Sequence, residues 1–125
     1  MNVHKVYDTI NHYHLDWLTP AGDYPKSALM VVECKDGRWM IVQEFGEEYG
    51  CFEGVLKNDS DLHTKPSFYP DFRSAVKSAF GMMKRLYPQY NDKPFSDFLS
   101  EITECCEVRF WNDETIIPPV QRQAL

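Results

Sequence analysis

Ala28-Leu29-Met30-Val31-Val32-Glu33-Cys34, then Lys35-Asp36-Gly37, then Arg38-Trp39-Met40-Ile41-Val42-Gln43-Glu44-Phe45 is the stretch that decides the fold. Both arms are rich in β-branched and aromatic side chains, which suit a pleated, half-buried surface. Between them, Asp36-Gly37 supplies residues that tolerate positive φ, as a tight hairpin turn requires. The reading is an antiparallel hairpin.

Upstream, residues 12–18 alternate. His12, His14 and Asp16 fall on one side, and Tyr13, Leu15 and Trp17 on the other. A period of two predicts a half-buried strand with the histidine side solvated. Residues 19–25 carry two prolines and a glycine and read as a loop. Downstream, residues 46–50 form a turn, residues 51–56 are expected as a further strand, and residues 57–66 are polar and irregular.

The period then changes. Phe72, Val76, Ala79, Phe80, Met83 and Leu86 recur at steps of three and four, which predicts a helix over residues 71–87. Pro70 suits its first turn and Pro88 stops it. A second helix is expected from about Pro94 to Cys106, with Phe95, Phe98, Leu99, Ile102 and Cys106 inward and Asp97, Glu101, Glu104 and Glu107 outward. Residues 108–111 read as a closing strand and residues 112–125 as an extended tail. Strands followed by helices give an α+β fold: an antiparallel sheet of three to five strands with two helices packed on one face, in one domain over residues 1–125.

The 125 residues are 43% apolar, enough for a core without metal or disulfide staples. Of the four cysteines, no two have CxxC spacing, so they read as free thiols. No stretch reaches the roughly 20 apolar residues that cross a bilayer, and residues 1–8 lack the apolar segment of a secretory signal. The expected compartment is the cytoplasm, with no membrane partner.

The formal net charge is −6, unevenly spread. Residues 33–61 carry eight acids against three bases, residues 65–87 five bases against one acid, and residues 92–114 seven acids against two bases. An acidic surface repels phosphate, which disfavours direct nucleic-acid binding and favours a basic partner. No nucleophile elbow, phosphate loop, dinucleotide fingerprint or zinc-protease motif is present, so no enzyme is expected, and no cofactor or metal.

The candidate partner-binding residues are Glu44, Glu47, Glu48, Tyr49, Phe52 and Glu53, where carboxylates surround aromatic rings in a glycine-rich turn. In this reading Tyr49 and Phe52 anchor in pockets of the partner and the glutamates steer its approach. The expectation is a non-enzymatic protein-binding module: an acidic inhibitor or immunity-type protein, of the kind phages and mobile elements use against host defences, covering a basic nucleic-acid-binding surface. Two other classes compete. One is a small metal-dependent enzyme using His12, His14 and Asp16, with His4 or His63 as a further ligand. The other is a nucleic-acid binder using the basic side of helix 71–87 (Arg73, Lys77, Lys84 and Arg85) with Trp39 and Phe45 on the sheet.

Overall fold

A computed structural model describes residues 3–15, 25–58, 60–92, 94–100 and 102–105. A short helix α1 (Val3–Val6) leads into strand β1 (Thr9–Leu15), followed by β2 (Ala28–Cys34) and β3 (Trp39–Phe45). A 3₁₀ turn (Glu48–Cys51), the long helix α2 (Phe72–Leu86), a second 3₁₀ turn (Pro88–Tyr90), α3 (Phe95–Ser100) and β4 (Thr103–Cys105) complete the described chain. The sheet order is β3-β2-β1-β4 and every pairing is antiparallel. The α+β class expected from the order of strands and helices is therefore present, with three α-helices among the described residues, one of them long.

The hairpin forms as its residues dictate. Gly37 takes φ +95°, and Asp36 accepts from the Arg38 backbone N–H at 3.0 Å and pairs with its guanidinium at 2.8 Å. Helix α2 begins where Asp71 caps it, its carboxylate accepting from Ser74 N–H at 2.7 Å. It ends at Tyr87, before Pro88.

Its apolar stripe of Phe72, Val76, Ala79, Phe80 and Met83 packs on Tyr13, Leu15, Leu29, Val31, Trp39 and Ile41 of the sheet. Phe80 meets Phe95 of α3 edge-on at 5.2 Å. No helix among the described residues is long and apolar enough to cross a membrane.

Three expectations need correction. The histidine side of β1 is not solvated: His12 is buried and His14 largely so. The second sheet face carries its own cluster, in which Met30, Val32, Cys34, Met40 and Val42 are covered by Val3, Leu56, Tyr7 and Phe68. Residues 51–56 make no strand; Gly54 turns the chain at φ +82°, and only Leu56 bridges to Val42.

The expected helix from 94 to 106 stops at Ser100, and Thr103–Cys105 pairs with His12–His14 instead. Pairing there satisfies backbone groups along the edge of β1 that a continued helix would leave without a strand partner. Asp97 and Glu104 therefore share no helix face, while Glu101 and Glu107 lie outside the described residues. The proposed strand 108–111 and tail 112–125 also lie outside them.

Candidate acidic docking site

The turn after β3 is built on one tight contact. Gly46 has φ +79°, and a Cβ there would lie 2.0 Å from Ser27 Oγ and 2.6 Å from Ser27 Cα. Only glycine fits both the conformation and the space. Ser27 then holds the next segment: its Oγ accepts from Glu48 N–H at 3.1 Å, and its own N–H donates to Tyr87 Oη at 3.1 Å. Tyr87 in turn donates its hydroxyl proton to the Glu48 carboxylate. Burial raises the Tyr87 phenol above its ordinary range, and the bond to Glu48 adds to that.

Buried Gln43 ties the inside of the turn together. Its side-chain oxygen accepts from Tyr49 N–H at 2.9 Å, its amide group donates to Lys57 O at 3.2 Å, and its backbone N–H donates to Leu56 O at 2.7 Å. Between these arms lies an open cleft of about 420 Å³, bordered by Glu44, Phe45, Glu47, Lys57 and Asn58. Asp61 organises the segment beyond it by accepting from the backbone N–H groups of Lys57, His63 and Thr64. Partial burial would raise the Asp61 carboxyl, but these bonds outweigh it and hold it at about 2.

The six candidate residues separate. Glu47, Glu48 and Glu53 are exposed, and Glu44 is partly so. Glu44 Oε1 lies 2.8 Å from His14 Nδ1, off the hydrogen-bond direction, so the contact is an ion pair when the imidazole is protonated.

Tyr49 does not stand out as an anchor. It is 0% exposed and packs in the α2 core, its ring 6.0 Å from Phe52 and 6.5 Å from Tyr87. The 3₁₀ turn folds this ring inward, where burial raises its phenol far above the ordinary range. Phe52 is half-buried against the same core, with the Arg85 guanidinium 4.9 Å over its ring.

The exposed ring is Phe45 instead, 38% accessible at the end of β3. Strict alternation places it with buried Ile41 and Gln43. The β2–β3 register shifts by one between Leu29↔Gln43 and Ala28↔Phe45, and that shift breaks the pattern just before Phe45. The signal was invisible without knowing the pairing.

The described members of the competing constellations face other partners. His12 turns to His4 and His14 to Glu44, while Asp16 lies outside the described residues. Among the described residues no three His, Cys, Asp or Glu side chains gather as metal ligands. Trp39 is a core residue packed edge-on against Phe72, so its ring faces are buried. Arg73, Lys77 and Arg85 are exposed on α2, as expected, and Lys84 is half-buried.

Comparison with protein families, with curated proteins and with solved structures finds no match to the chain.

Proposed function

We propose that this protein is a non-enzymatic binding module that docks on a basic protein partner through the corner formed by Glu44, Phe45, Glu47, Glu48 and Glu53. One observation carries the reading. An exposed phenylalanine sits beside a cleft whose border holds two glutamates against one lysine, on a turn fixed by Gly46, Ser27 and Tyr87. A pre-ordered turn loses little entropy on binding, so its apolar contact and its charge both count toward affinity.

The anchor in this version is Phe45, with Tyr49 as the internal post that supports the turn. The most economical partner is a protein whose basic surface binds nucleic acid. Covering that surface makes the module an inhibitor or immunity-type protein, and an anti-defence role is one instance. The net charge of −6 supports that direction of complementarity.

Affinity capture from the source cells tests it. The wild-type chain should retain a basic protein that a Glu47→Lys, Glu53→Lys double variant and a Phe45→Ala variant each lose. Lys77→Glu, on the exposed side of α2, should leave capture intact. Equal capture by all four chains would refute the assignment of this surface.

A further inference from the structure

On the sheet face away from α2, two histidines lie ring on ring. His4 comes from α1 and His12 from β1; each is 4% exposed, and their centroids are 4.2 Å apart at 27°. His12 Nε2 is 3.0 Å from His4 Nδ1, and that same Nδ1 is 2.9 Å from Thr9 Oγ1. We propose that this pair is an acid-sensitive latch: it holds α1 on the sheet at neutral pH and lets it go when both rings are protonated.

The reason is the count of protons. A neutral imidazole has one N–H donor and one acceptor nitrogen, so two neutral rings place a single proton in the gap between Nδ1 and Nε2. A ring that gains a second proton has N–H groups at both nitrogens. With both rings charged, neither nitrogen of the 3.0 Å contact keeps a lone pair to accept the other's proton, and two like charges are stacked in a buried site. Separation relieves both conflicts.

Several described residues face the pair. Thr9 is neutral, and His14, further along β1, is directed to Glu44. From β2 come Val32 and Cys34, the latter a thiol that burial pushes up to about 11. β3 contributes Met40 to this face, α1 also carries exposed Lys5, and β4 places Cys105 in register with His12. Glu33 belongs to the opposite face, where it accepts from Asn11.

The hinge is also built in. Asp8, between α1 and β1, has φ +56°, a conformation that costs a non-glycine residue energy and that opening relaxes. Release of α1 would withdraw Val3 from Met30, Val32 and Met40 and break the Tyr7 N–H to Val3 O and Lys35 N–H to Asp8 O bonds.

Hydrogen exchange on the full chain, read as protection factors from about pH 7.5 to about pH 5, tests the latch across the range where imidazoles titrate. The opening equilibrium read at the Tyr7 and Lys35 amides should rise by up to about tenfold per pH unit for each extra proton the open form takes up. Protection of β2 and β3 should hold. His4→Gln and His12→Gln should each remove the pH dependence, and His14→Gln should keep it. If a glutamine variant fails to fold, the imidazole resonances of the wild-type chain decide: the two rings should titrate in two coupled steps. Protection that ignores pH would overturn the latch. So would its loss across the whole sheet at once, its pH dependence surviving in both glutamine variants, or independent titration of the two rings.

Discussion

Replacing Tyr49 separates an internal post from an exposed anchor. The residue is fully buried, and its hydroxyl has no hydrogen-bond partner among the described residues. Tyr49→Ala removes a large ring from a packed core, which typically costs about 3–5 kcal/mol. Tyr49→Phe removes only an unpaired buried hydroxyl, whose desolvation costs about 1–3 kcal/mol, so it should leave stability unchanged or raise it by about 1 kcal/mol. Urea unfolding followed by tryptophan fluorescence reads both. With a slope of about 2 kcal/mol per molar, the alanine midpoint should fall by about 2 M and the phenylalanine midpoint should rise by up to about 0.5 M. Partner capture should follow the same order: weakened in the alanine variant, whose turn loses its internal support, and kept in the phenylalanine variant. A Tyr49→Phe midpoint lower by about 0.5 M or more would mean the hydroxyl makes a stabilising bond, and the reasoning would fail. An unchanged midpoint for Tyr49→Ala would put the ring outside the core.

Gly46→Ala should cost at least about 1–3 kcal/mol, because φ +79° and the 2.0 Å approach to Ser27 Oγ both exclude a Cβ. Gly81→Ala, in open space on exposed α2, should instead stabilise by up to about 1 kcal/mol; the two urea midpoints should move in opposite directions. The Cys34 thiol is pushed up to about 11 from an ordinary 9.0, by burial first and then by Asp36. The folded state thus disfavours the thiolate, so this contribution to stability is complete below pH 9.0 and lost as the pH rises toward about 11. Melting curves across that window should fall more steeply for wild type than for Cys34→Ala; parallel curves would contradict the burial argument. Asp71→Ala should lower the urea midpoint by uncapping α2, and an unchanged midpoint would contradict the cap. The Ser74 N–H holds the Asp71 carboxyl below its ordinary value, so the cap is intact above the carboxylate range and fails as the pH drops through it.

The parts of the fold set by local chemistry were legible in the sequence. Asp36-Gly37 between two apolar runs gave the hairpin, and the three-and-four spacing from Phe72 to Met83 gave α2 nearly to the residue. What depends on distant partners was not legible. Alternation in β1 identified a strand, but it could not show that Val3, Leu56 and Phe68 return to cover the second face. The apolar run from Phe95 to Ile102 suits a helix, and only the vacant edge of β1 explains why the chain leaves it for β4.

The candidate site divides the same way. The glutamates of residues 44–53 reach the surface because solvation favours it, as composition alone suggests. Which ring faces out is decided by a register shift and a 3₁₀ turn: Tyr49, expected as an anchor, is buried, and Phe45 is exposed.

In the proposed docking mode an acidic corner with one exposed ring, Phe45, grips a basic partner. Stopped-flow association of the purified chain with the captured partner, at rising ionic strength, tests it most directly. The association rate should fall steeply with salt while dissociation changes little, since steering charge acts mainly on encounter. Phe45→Ala should speed dissociation, and Glu47→Lys should slow association. An association rate indifferent to salt, or a Phe45→Ala complex as long-lived as wild type, would contradict the account.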